Sequence, residues 1–246
     1  MGRRTSLATP MVAPMTEPDL SPAHKRAIEG ALRWAWAQLV AANDQVLHQG
    51  AEEAITAAIE VQLGRMKDGR RLAPGLRDFG HIPRGAKVRA VGGSLEKQPD
   101  LTFRPPPSRY RRVTNLANWA CFVECKLIED GHSTRTVKSY SDHGVRRFAV
   151  GEYAACMPSG MMLAYVRGQQ QLEPSLTPLL PLHGASSIAR GPDVDARITV
   201  HPRATLPMPC VDVSLVHLWL PVPSTLASPA ASRNSVQRRR IRRKQP

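Results

Sequence analysis

The chain is short of acid and has no long apolar run. Only 20 Asp and Glu stand against 34 Lys and Arg, a formal net charge of +14. No segment approaches the roughly 20 apolar residues of a membrane-spanning helix; the best, VSLVHLWLPV, has the length of a strand. The N-terminus lacks the apolar core of a secretory signal. Its Met-Gly-Arg-Arg-Thr-Ser start, with Gly2 and Ser6, fits the loose myristoylation pattern, but no second membrane signal accompanies it. The expectation is a cytoplasmic protein with no membrane partner. The cysteines, Cys121, Cys125, Cys156 and Cys210, show neither CxxC spacing nor a neighbouring histidine pattern, which argues against a zinc site and for reduced core thiols. GxSxG, HExxH, Walker A and GxGxxG motifs are all missing, which removes support for the hydrolase, protease and nucleotide-binding classes they mark.

What is present is positive charge. Arg238, Arg239, Arg240, Arg242, Arg243 and Lys244 carry six charges in RRRIRRKQP, and 14 − 6 leaves +8 on the body. A basic body with a basic tail favours a polyanionic partner, nucleic acid first. The competing reading is charge that serves solubility alone. The segment 223–246 reads as a disordered arm adding salt-dependent affinity, with Arg239, Arg240, Arg242 and Arg243 as contacts; the same letters fit a nuclear-localisation signal. Residues 1–22, rich in Pro, Thr and Ser, read as disordered too. Between these lies one domain, 23–222.

Apolar spacing predicts a helix over 23–43, with a stripe of Ile28, Leu32, Trp36 and Leu39, and another over 51–66, with Ile55, Ile59, Leu63 and Met66. Glu52 borders the second stripe, whereas Glu53 and Glu60 fall toward the polar side. Gly and Pro then divide the chain into short strands: AKVRAVGG near 90, DLTFR near 101 and ACFVECKLI near 124. A helix follows in TVKSYSDHGVRRFAVGEYAA, interrupted at Gly144, then a strand in MMLAYV. A helical piece over 168–182 and two late strands, RITVH and VDVSLVHLWLPV, complete the list. Strand, helix, strand over 119–166 suggests a parallel pair with a right-handed crossover in a mixed sheet, hence an α/β class.

One stretch raises a chemical question. In WACFVECKLIED, Glu124 and Lys126 share one face of an otherwise apolar strand, opposite Val123, Cys125 and Leu127. Unpartnered buried charge is costly. The pair is therefore either a salt bridge at a sheet edge or the floor of an active site. Asp100 at the head of the preceding strand, Glu124 next door and Glu52 on the upstream helix form a set of oxygen donors. Hard divalent cations take one or two carboxylates, with waters and phosphate oxygens completing the shell. Lys126 is placed to orient water or offset charge on a phosphate.

Pro99-Asp100 followed by Glu124-Cys125-Lys126 on an apolar strand, with a helical glutamate upstream, resembles the PD-(D/E)xK nuclease superfamily. The resemblance covers about 48–166. It implies a restriction-endonuclease-like three-layer core, a mixed sheet of four to five strands between helices, with additional C-terminal strands. It also implies Mg²⁺ or Mn²⁺ held by Asp100, Glu124 and the Cys125 main-chain carbonyl, with Lys126 as catalytic lysine and Glu52 as auxiliary acid. The implied activity is metal-dependent cleavage of DNA, in defence or repair, and a homodimer in the manner of many relatives. Arg109, Arg111 and Arg112, beside Tyr110 in the loop RPPPSRYRR, and Arg147 on the following helix are the nucleic-acid contacts expected outside the tail. A non-catalytic binding protein on the same fold and a ribonuclease remain as alternatives.

Overall fold

The computed structural model describes residues 16–68, 76, 79, 82, 88–89, 96–97, 99–106, 110, 112–116, 118–152, 154–191, 195–203 and 212–224. Helix α1, Pro22–Ala41, starts where Ser21 accepts a hydrogen bond from the His24 amide (3.2 Å) and Pro22 supplies a pre-set first turn. A single turn α2, Val46–Gln49, leads into α3, Glu52–Asp68, which opens on Glu52 and Glu53 and closes on Arg65 and Lys67. That charge order complements the helix dipole. The expected stripes are the buried ones: Ile28, Leu32, Trp36 and Leu39 on α1, and Ile55, Ile59, Leu63 and Met66 on α3.

Among the described residues eight strands follow. Strands β1, Val88–Arg89, and β2, Glu96–Lys97, form a separate antiparallel ribbon. The strand expected near residue 90 thus pairs with its own neighbour and does not enter the main sheet. That sheet holds β3 (Leu101–Phe103), β4 (Cys121–Glu129), β5 (Ser159–Arg167), β6 (Ala189–Arg190), β7 (Arg197–His201) and β8 (Val213–Pro221), in the order β3-β4-β5-β8-β7-β6. Strands β4, β5 and β8 are mutually parallel, and the outer pairings are antiparallel. Among the described residues the sheet has six strands, since the additional C-terminal strands expected beyond the core pair within it. The class is α/β, with helices on both sides.

The parallel trio is nearly continuous in apolar residues because both faces are covered. One face, carrying Cys125, Leu163 and Tyr165, lies under α1 and α3: Trp36 stacks on Tyr165 with ring centroids 5.7 Å apart. The other carries Glu124, Lys126, Met162 and His217. It lies under the helix between β4 and β5, which runs as α4 (Val137–Tyr140), a π-helical turn (Ser141–Val145) and α5 (Arg146–Ala149). The interruption expected at Gly144 is that π turn. A Cβ on Gly144 would stand 2.3 Å from Met162 Cε and 3.6 Å from Lys126 Cγ, so glycine lets the turn settle onto β4 and β5. Gly144→Ala should cost about 1–3 kcal/mol as Met162 is displaced, read as a lower chemical-denaturation midpoint.

Two buried polar clusters fix this layer. Arg203 donates to the carbonyls of Phe148, Ala154, Ala155 and Met157 (2.9–3.2 Å), clasping the loop after α5. The second is a chain with one direction. A carbonyl only accepts, so His201 Nδ1 donates to His183 O (3.0 Å) and His201 Nε2 accepts from Thr199 Oγ1 (2.7 Å). Thr199 must then accept from His217 Nε2 (2.7 Å), leaving His217 Nδ1 to accept from Tyr140 OH (2.6 Å). Both imidazoles are neutral in this order. It ties Tyr140, the residue before the π turn, to β7 and β8.

Part of the N-terminal stretch expected to lack structure is packed. Glu17 is buried and accepts from the Thr114 amide and hydroxyl and the Asn115 amide (2.6–2.8 Å). Residues 1–15 and the arm from 225 lie outside the described residues.

Candidate active site

The site begins with a mismatch in strand length. β3 pairs only with Cys121–Val123 of the nine-residue β4, so the rest of β4 has no strand on that side among the described residues. Buried backbone N–H groups require acceptors. Side chains supply two of them: Asp100 Oδ2 accepts from the Cys125 amide (2.6 Å) and Glu52 Oε2 from the Leu127 amide (2.8 Å). The Glu129 amide donates to the Arg135 carbonyl (2.8 Å). Leu101 lies opposite Val123, so Asp100 stands one step along, beside Glu124.

On the face toward the π turn, Glu124 Oε1 receives Lys126 Nζ at 2.9 Å and Arg147 Nη1 at 2.7 Å. Lys126 Nζ also donates to Glu52 Oε1 and to the Cys125 carbonyl, both at 2.8 Å. The ammonium thus joins Glu52, Glu124 and the Cys125 carbonyl, while Asp100 holds the amide of the residue between Glu124 and Lys126. This is no exposed edge pair: the Glu124 side chain is 1% exposed and that of Lys126 13%. The position of Glu52 is itself supported. Thr56 donates to the Glu52 carbonyl (2.9 Å) and accepts from the buried Tyr165 hydroxyl (3.1 Å).

Burial, then the charge of Glu124, raises the Asp100 carboxyl to about 7, against the pull of the Cys125 amide and Lys126. Burial pulls the Lys126 ammonium down, but Glu124 and Glu52 outweigh it and the net shift is upward. An acid raised on folding erodes stability as pH rises. For Asp100 the loss is absent below 3.8, grows to about 7 and is complete above that. Asp100→Asn keeps a carbonyl for the Cys125 amide and removes the charge. It should therefore raise stability at pH 8 by on the order of 1 kcal/mol and show no gain near pH 4 in paired urea titrations.

No group of three or more His, Cys, Asp or Glu set to hold a metal ion stands among the described residues. A hard cation does not need three, since one or two carboxylates suffice when water and phosphate complete the shell. Two observations suit such an ion. Glu124 Oε2 is buried with no hydrogen-bond partner among the described residues, and Asp100 and Glu124 press like charges on each other. Asp100, Glu124 and the Cys125 carbonyl offer only oxygen donors, the type that hard divalent cations take.

No protein-family model, curated protein or solved structure matches the chain.

The expected nucleic-acid contacts divide. Arg147 lies over Glu124, also 3.8 Å from Glu152 through Nε, with its side chain 36% exposed. Arg112 is exposed. Arg109, Arg111, Arg239, Arg240, Arg242 and Arg243 lie outside the described residues. Tyr110, the aromatic of that loop, is half-buried: its hydroxyl meets His24 Nδ1 (2.7 Å) and its ring packs on Trp119 (4.6 Å between centroids). Tyr140 is buried on His217, and Lys138 pairs with Asp142. Sequence reasoning missed Thr56 and Tyr165 behind Glu52, Glu152 beside Arg147, and the Thr199-His201-His217 chain. Only His217 carried a signal, a titratable residue inside the apolar run VSLVHLWLP.

Proposed function

We propose that the chain is a metal-dependent nuclease on a restriction-endonuclease-like core, hydrolysing phosphodiester bonds of DNA ahead of RNA. One observation carries the reading: Lys126 gathers Glu52, Glu124 and the Cys125 carbonyl on the open flank of β4, where Asp100 caps the next rung. Asp100, Glu124 and the Cys125 carbonyl would hold Mg²⁺ or Mn²⁺. Such an ion lowers the pKa of a water and polarises the phosphate. Lys126 would orient the attacking water or offset charge gathering on the phosphate oxygens. Glu52 keeps Lys126 aligned, and the Arg147 guanidinium, half open to solvent, would meet the phosphate backbone. The order α3, β3, β4, helix, β5 supports the core, and the +14 charge supports the substrate class.

A second reading is favoured by a different observation. Both Glu52 oxygens are engaged, and Lys126 already has three oxygen partners, as in a purely structural clamp. A non-catalytic nucleic-acid-binding protein would look the same. The two separate when purified wild type and Lys126→Ala are incubated with supercoiled plasmid, single-stranded DNA and RNA in Mg²⁺, Mn²⁺ or EDTA. Cutting by wild type alone, abolished by EDTA, supports the nuclease. Equal binding by both proteins with no cutting in any metal sinks it, and cutting of RNA alone makes it a ribonuclease.

A further inference from the structure

Two buried oxygens on neighbouring strands have no hydrogen-bond partner among the described residues: Glu124 Oε2 on β4 and Thr102 Oγ1 on β3. Thr102 is fully enclosed and Glu124 is 1% exposed. Strand register puts them on one face. Thr102 stands opposite Phe122, and Phe122 and Glu124, two apart on β4, point the same way. Thr102 and Glu124 are thus diagonal neighbours across the β3–β4 pair, with Asp100 one step from Thr102's neighbour Leu101 and beside Glu124. Buried polar atoms left unmatched are uncommon, and each costs free energy. A valine would fill the Thr102 position with nearly the same outline and suit a strand equally well. The hydroxyl therefore adds nothing to the packing of β3.

We propose that Thr102 is a positioning residue of the cation site, its hydroxyl holding a water bound to a divalent cation on Glu124. This rests on the nuclease reading for the cation, and adds to it a residue outside the set of acids. A small hard cation held by one or two carboxylates keeps several waters. The oxygen of such a water faces the ion, so toward the protein the water only donates. Thr102 Oγ1 has lone pairs with which to accept, and a valine has none. The spacing agrees. Diagonal neighbours in a sheet stand about 7–8 Å apart, a gap that the longer glutamate arm, a cation and one water close with links of about 2.1 Å and 2.8 Å. Partners of this kind orient what the ion holds, and losing one costs about 10–100-fold in affinity.

Mn²⁺ affinity of the full chain, followed by electron paramagnetic resonance of free Mn²⁺, tests this without any substrate. Thr102→Val should weaken binding by about tenfold. Thr102→Ser, which keeps the oxygen, should stay within about twofold of wild type. Denaturation midpoints in EDTA accompany the titrations. Without a cation the buried hydroxyl is a cost, so Thr102→Val should be at least as stable as wild type. Weaker Mn²⁺ binding beside undiminished stability is a combination that a packing role does not give. Equal Mn²⁺ affinity of wild type and Thr102→Val would overturn the proposal. An equal loss in the Val and Ser variants would do the same, by tracing the effect to packing. So would a Thr102→Val protein that is clearly less stable in EDTA or does not fold, since the hydroxyl would then be bonded in the cation-free chain. Wild type that binds no Mn²⁺ would defeat the nuclease reading, and the role of Thr102 with it. Binding by wild type that the Val variant leaves unchanged would remove the role of Thr102 alone.

Discussion

With Lys126 replaced by Ala, the cleavage proposed above is expected to fall in Mg²⁺ by about 10²–10⁴-fold, the scale of a lost proton-handling or charge-stabilising group. Oligonucleotide affinity should change far less. The reason is the position of the ammonium. Among the described residues it is the group that touches Glu52, Glu124 and the Cys125 carbonyl together, so its removal disorders the arrangement that would receive the attacking water. A stability cost accompanies the change. Glu124 is almost fully enclosed and would keep its ion pair with Arg147. Removing one member of a buried charge cluster costs about 3–5 kcal/mol when the other is stranded; retention of Arg147 puts the expected loss below that range. Denaturation midpoints should therefore be measured beside the rates. Lys126→Met, which restores the apolar stem, separates the two effects: stability should partly recover and turnover should not. A Lys126→Met protein that still cuts in Mg²⁺ would rule out the catalytic role.

The second large effect is acid lability centred on His217. Burial, then the neighbouring His201, pushes the His217 imidazole from 6.5 down to about 3. Burial also lowers His201, against the pull of the His183 carbonyl. For a base lowered on folding, the unfolded chain takes up the proton first. Stability is full above about 6.5 and is lost as pH falls toward 3. Each such imidazole contributes at most about 1.4 kcal/mol per pH unit within its window. Asp100 works in the opposite sense over 3.8 to about 7, so the wild-type profile alone mixes two trends. The difference between wild type and His217→Phe isolates one. That variant should lose stability at pH 7.5, where Tyr140 and Thr199 are left without their partner. The gap should then narrow as pH falls to 4, as the wild type gives up the His217 contribution. A gap constant with pH would show that His217 is not held neutral by the fold.

How much of this was legible before the structure varies by element. The stripes of α1 and α3 and the strand β4 were readable, because each depends on local periodicity that burial then enforces. The pairing of Glu124 with Lys126 was readable as a question for the same reason, since alternation along a strand puts them on one face whatever the tertiary fold. The partners of that pair were less accessible. Glu52 reaches Lys126 across 74 positions, and its second oxygen serves a backbone amide that is open only because β3 stops at Leu101. No pattern within α3 encodes the length of another strand. Residues 88–97 show a different limit: the strand signal near residue 90 was present, but which strand it pairs with is set by chain geometry. The Arg203 clasp had no signal at all, because its acceptors are carbonyls and any residue supplies a carbonyl.

The open flank of β4 has a consequence beyond chemistry. A strand that runs past its neighbour offers bare rungs to any extended segment, including one from another copy of the chain. Asp100 and Glu52 occupy two of those rungs with side chains. Replacing either acid by an apolar residue would leave a buried strand amide without its acceptor, at a cost of about 1–3 kcal/mol. The same few side chains therefore serve both the candidate site and the backbone of β4.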